Sequence, residues 1–81
     1  MAKNNEIFRS EFIGKNTNVV GKNIHGKIID ETKNTILIKT NSGKKIVQKE
    51  NNTFEIEINN GLYTIDGKSI LMKPEDRIKI K

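Results

Sequence analysis

Lysine supplies most of the chemistry that this sequence can offer. Fifteen lysines and arginines stand against ten aspartates and glutamates, for a net charge of +5 and a pI near 9.6. Ammonium groups on a rigid surface hold phosphate oxygens strongly, with a steep salt dependence and little demand on base identity. Covalent chemistry has far less to draw on. The chain has no cysteine, which excludes disulfides and thiolate metal sites. His25 is the only histidine, so no His-based metal site is expected. Asp30 and Glu31 are adjacent; on a strand they point to opposite faces and cannot work as a paired acid and base. Asp66-Gly67 reads as a turn and Glu75-Asp76 as the start of a helix. The glycines stand singly, without the spacing of a phosphate loop. A hydrolase or transferase needs a nucleophile, a base or a metal on converging side chains. The expectation is a binding module with no catalytic residue of its own.

The charge is unevenly distributed. Residues 15–49 carry eight lysines against Asp30 and Glu31, a net +6. Residues 50–67 carry Glu50, Glu55, Glu57 and Asp66 and no base, a net −4. Residues 68–81 return to +3, and residues 1–14 are neutral. Such segregation predicts separate electrostatic faces, one suited to a polyanion. Tyr63 is the only aromatic with a polar tip, and the three phenylalanines read as core. Recognition of a folded RNA's shape and backbone therefore suits this composition better than stacking on single-stranded bases.

These lysines need a scaffold, and the apolar pattern says which. Eighty-one residues predict one domain, 1–81, burying roughly 60% of its unfolded surface. Residues 1–14 read as an N-terminal arm with a short helix from Asn5 to Ile13, stopped by Gly14. Residues 15–81 read as a barrel. Short strands are predicted at Val19-Val20, Lys27–Thr32, Thr35–Thr40, Lys44–Gln48, Thr53–Ile58, Leu62–Ile65 and Ser69–Met72. Pro74-Glu75-Asp76 makes one helical turn, followed by a last strand in which Ile78 and Ile80 alternate with Arg77, Lys79 and Lys81. Lys33-Asn34 is the predicted hairpin turn, with Asn34 at positive φ. In Thr53–Ile58, Phe54, Ile56 and Ile58 face inward and Glu55 and Glu57 outward. Closing such strands into a bent antiparallel barrel removes exposed edges. No apolar run approaches the roughly 18 residues of a membrane span, and the N-terminus lacks the apolar stretch of a secretion signal. A cytoplasmic location is expected.

Two stretches go beyond composition. One is Gly26-Lys27-Ile28-Ile29-Asp30-Glu31-Thr32-Lys33-Asn34-Thr35-Ile36-Leu37-Ile38. The other is Ile65-Asp66-Gly67-Lys68-Ser69-Ile70-Leu71 with Lys73-Pro74-Glu75-Asp76-Arg77-Ile78-Lys79. With Glu11-Phe12-Ile13-Gly14, their order and spacing over about residues 11–79 closely resemble archaeal ribonuclease P protein component 1. The resemblance implies an all-β fold, a small Sm-like/SH3-like antiparallel barrel of about six strands with a short N-terminal helix. It implies a protein subunit of the ribonucleoprotein that removes the 5′ leader from precursor tRNA. There the RNA carries the catalysis with bound magnesium. The protein pairs with a zinc-ribbon subunit, which holds the zinc, acts alongside other ribonuclease P proteins, and serves precursor tRNA indirectly. One departure is Gln48, where a proline is expected in a Lys-x-Val-Pro-Lys segment; the strand through Ile46 and Val47 should continue past it.

The charge segregation nominates Lys15, Lys27, Lys33, Lys39, Lys44, Lys45, Arg77 and Lys79 as RNA contacts. Ile7, Phe8 and Phe12 on the N-terminal helix, or neighbouring aliphatics on the barrel surface, are nominated to bind the zinc-ribbon partner. The competing reading is a ring-forming Sm/Hfq-like RNA chaperone, since Asp30-x-x-x-Asn34 resembles the first Sm motif. Ile65-Asp66-Gly67 resembles the second only loosely, because Asp66 stands where that motif has arginine and a carboxylate repels phosphate.

Overall fold

The computed structural model describes residues 10–78, which form one six-stranded antiparallel sheet. The strands are β1 (Asn16–Val19), β2 (Ile24–Glu31), β3 (Thr35–Thr40), β4 (Gly43–Gln48), β5 (Thr53–Ile58) and β6 (Gly61–Asp66). A 3₁₀ turn, Gly67–Ile70, and a short helix, Pro74–Ile78, follow. The spatial order is β4-β3-β2-β1-β5-β6. The fold is all-β and barrel-like. Its hydrogen-bonded sheet is not closed, however: β4 and β6 remain as two edges.

β-Branched side chains build the interior. Val19, Ile28, Ile36, Ile38, Val47, Ile56, Ile58, Ile65 and Ile70 are buried around Phe12 and Phe54. Each contributes about 1.5–3 kcal/mol when fully removed from water. β5 alternates as its sequence predicts, with Phe54, Ile56 and Ile58 buried.

Gly26 lets the sheet curl. A Cβ there would collide with the backbone carbonyl of Lys39 on β3, lying 2.8 Å from its carbon. Only a residue without a side chain permits that approach of β2 to β3. Gly26→Ala is therefore expected to destabilise the protein by several kcal/mol, read as a lowered urea midpoint with an unchanged m-value.

Loop chemistry departs from expectation in places. Asn59 and Asn60 both have positive φ, 51° and 67°, and make a two-residue turn between the paired Ile58 and Gly61. Asn34 does not take the positive φ expected of it. The Thr32 and Thr35 hydroxyls close the β2–β3 turn instead, 2.6 Å apart, while the Thr35 N–H donates to Thr32 Oγ1 at 3.1 Å. β4 ends at Gln48, which pairs with Thr35, so the strand does not continue past that position although no proline stands there.

Three predicted elements are different. Ser10–Ile13 is not helical; the Lys15 N–H bonds the Phe12 carbonyl and the Gly14 N–H bonds that of Ile28, so this stretch is a turn laid on β2. Asn5–Arg9, the rest of that predicted helix, lies outside the described residues. Ser69–Met72 is no strand, because Asp66 caps a 3₁₀ turn by accepting the Lys68 N–H at 3.1 Å. Of the predicted last strand, Arg77 and Ile78 belong to the helix instead, the Arg77 N–H donating to the Lys73 carbonyl at 2.9 Å, and residues 79–81 lie outside the described residues.

Candidate nucleic-acid interface

Strand register assembles the lysines. Asn16 of β1 lies opposite Lys27 of β2, Lys27 opposite Lys39 of β3, and Lys39 opposite Lys44 of β4. Directly opposed residues share a face, and neighbouring strands are about 4.8 Å apart. Three lysines thus line up across about 10 Å of the outer surface, all exposed. Like charges placed directly opposite one another destabilise a sheet. The described residues contain only two ion pairs, and neither involves these three. A polyanion lying across the strands would relieve that repulsion.

The same outer surface turns acidic one strand beyond Asn16. Asn16 Nδ2 donates to Glu57 at 3.3 Å and Asn18 Nδ2 to Glu55 at 3.1 Å. Two outward carboxylates on β5 thus border a groove of about 350 Å³ that also reaches His25 and Leu62. Sequence segregation has become two half-faces meeting at β1.

Not every nominated residue joins the row. Lys45 follows Lys44 on β4 and points to the other side of that strand, opposite Ile38. Lys33 sits in the β2–β3 turn, roughly 20 Å along β3 from Lys39. Lys15 is half-buried just before Asn16. Lys79, Ile7 and Phe8 lie outside the described residues.

Arg77 and Phe12 require correction. Both are fully buried, so Arg77 offers nothing to a phosphate and Phe12 nothing to a partner. The Arg77 guanidinium lies 3.7 Å over the Phe12 ring and donates from Nη1 to the Ser10 carbonyl. It also donates from Nη2 to Glu31 Oε1 at 2.6 Å and from Nε to Oε2 at 3.2 Å. Lys49, equally buried, reaches the same carboxylate at 2.9 Å and the carbonyls of Ile70 and Met72 at 2.8 and 3.1 Å. Burial pushes the Lys49 ammonium below the ordinary lysine range; the Glu31 carboxylate opposes that shift and Arg77 adds to it. This cluster ties β2, the segment after β4, the C-terminal helix and the N-terminal turn together.

Sequence reasoning put Arg77 on the surface as an RNA contact and counted Lys49 only in the charge of its segment. Parity held a signal: Lys49 stands two residues after the buried Val47, on the inward side of the strand. Asp30 and Glu31 do point apart as expected, with Asp30 exposed. His25 is exposed on β2 beside Asn18. No three His, Cys, Asp or Glu side chains gather into a metal-binding group among the described residues. None of their helices is long and apolar enough to cross a membrane.

Fold and surface together define a small all-β, barrel-like protein with a basic sheet face and no assembled catalytic group among the described residues. A family model described as Ribonuclease P/MRP, subunit p29, matches residues 5–80. The solved structure of Mth11, described as a homologue of human RNase P protein Rpp29, is 32% identical, with a TM-score of 0.57 over 85% of this chain and 99% of that one. No curated protein matches the chain. The chain belongs to the ribonuclease P/MRP subunit p29 family.

Proposed function

We propose that this chain is a non-catalytic, RNA-binding subunit of a ribonuclease P that matures the 5′ ends of precursor tRNAs. Family membership supports a place in an endoribonuclease ribonucleoprotein with RNA and other protein subunits. The observation that carries the RNA-binding role is the unpaired Lys27–Lys39–Lys44 row. On this reading the ammonium groups of the row contact phosphates of the RNA backbone, while magnesium on the RNA supplies the hydrolytic chemistry. A zinc-ribbon subunit, holding its own zinc, is the proposed protein partner. Among the described residues its docking role passes from the buried Phe12 to Ile13 and Ile78, exposed residues that follow Phe12 and Arg77 in the chain.

Titrating the purified chain with ribonuclease P RNA over a salt series tests this reading. Tight binding at low salt that weakens by several log units per log unit of salt is expected. Failure to bind at any salt would sink it. Sedimentation separates the ring-chaperone alternative, because a stable hexamer or heptamer of the protein alone contradicts the subunit role.

A further inference from the structure

A second groove, of about 520 Å³, opens at the end of the barrel between the β1–β2 and β3–β4 turns. Lys22 and Asn23 line it from the β1–β2 turn, Ile24 and His25 from the start of β2, and Thr40, Asn41, Ser42 and Lys45 from the β3–β4 side. Its lining differs from the β5 groove in one decisive respect: no carboxylate enters it. Both turns are held in place. Asn23 is fixed at φ 56°, and the Val20 N–H donates to the Thr53 carbonyl at 2.9 Å. Thr40 Oγ1 accepts the Ser42 N–H at 3.1 Å and donates to the Gly43 carbonyl at 2.7 Å. The side-chain amides of Asn23 and Asn41 make no hydrogen bond within the described residues and remain available.

The groove is continuous with the lysine row. Lys44 belongs to the row and Lys45 to the groove, and the two straddle β4, an edge strand. A strand of RNA on the row reaches the groove by passing once over that edge. The volume lies within the range of small-molecule sites and far exceeds what one phosphate fills. An asparagine amide offers both donor and acceptor to a base edge. Half-buried Ile24, packed against the core, gives a flat base an apolar surface to lie against. Paired bases cannot present their edges in this way, but an unstacked one can.

We propose that this groove holds a single unpaired nucleotide of the bound RNA, with its phosphate between Lys22 and Lys45 and its base against Ile24. The proposal rests on reading the lysine row as an RNA surface, and adds a preference for unpaired structure that the row cannot supply.

The test compares two hairpin RNAs of one stem sequence, one fully paired and one with a single-nucleotide bulge. Each is titrated with the full chain and with the Asn23→Gly/Asn41→Ala variant, in which glycine preserves the positive φ. The wild-type chain is expected to prefer the bulged RNA by about tenfold. The variant should lose that preference while binding the paired RNA unchanged, which also shows that it is folded. Equal wild-type affinity for the two RNAs, or a variant that keeps the preference, overturns the nucleotide site alone. Wild-type binding to neither RNA overturns the row together with the groove.

Discussion

Glu31→Ala is expected to cost about 3–5 kcal/mol and to leave little folded protein, because it removes the carboxylate that two buried cations share. Lys49 and Arg77 are both fully buried, and Glu31 is the only carboxylate paired with either among the described residues. A domain of this size has only about 5–15 kcal/mol to lose in total, and small cores lie at the low end. Urea denaturation followed by circular dichroism measures the effect. The adjacent Asp30→Ala is the control. Asp30 is exposed and gives up only its bond from the Glu31 N–H, at 2.8 Å. That change should cost about 1 kcal/mol or less. Replacing Glu31, Lys49 and Arg77 together by apolar residues of similar size should restore much of the loss, since no charge is then left alone. An unshifted urea midpoint for Glu31→Ala would show that the cluster does not hold the fold.

The second large effect is on binding. Lys27→Ala/Lys39→Ala/Lys44→Ala should flatten the salt dependence of RNA binding by about three units, one for each phosphate contact removed. Stability should move in the opposite direction. Opposed like charges cost a sheet roughly 0.2–1 kcal/mol per pair, so the triple variant should be as stable as the wild type or slightly more so. A surface kept for folding would not separate in this way. Lys33→Ala, far from the row, should change the slope by no more than about one unit.

Much of the scaffold was legible. The bounds of β5 follow from strict alternation of apolar and polar residues, and those of β3 from a β-branched-rich run that begins after the Lys33-Asn34 turn. The lysine row was legible only as a set of names. Which lysines face each other depends on turn lengths and on a bulge at Ile29, where the β2–β3 register slips between Ile28 and Asp30. That slip places Glu31, one residue after the exposed Asp30, in the interior. The C-terminal segment misled for a related reason. Alternation of Ile78 with its charged neighbours suggests a strand, but Arg77 is there to meet Glu31, and a helical turn delivers it. Phe12 was read on a helix face; a turn inserts it into the core under that guanidinium.

Reconstituted cleavage of precursor tRNA at limiting magnesium is the most direct test of the central claim, that this barrel supports a catalytic RNA through its lysine row. Ribonuclease P RNA and the other protein subunits are mixed with either the wild-type chain or the triple lysine variant, and the rate of 5′-leader release is measured. The wild-type chain should raise the rate. The triple variant, folded and equally stable, should lose most of that gain and recover part of it at higher magnesium. A triple variant that supports cleavage as well as the wild-type chain at limiting magnesium would contradict the claim.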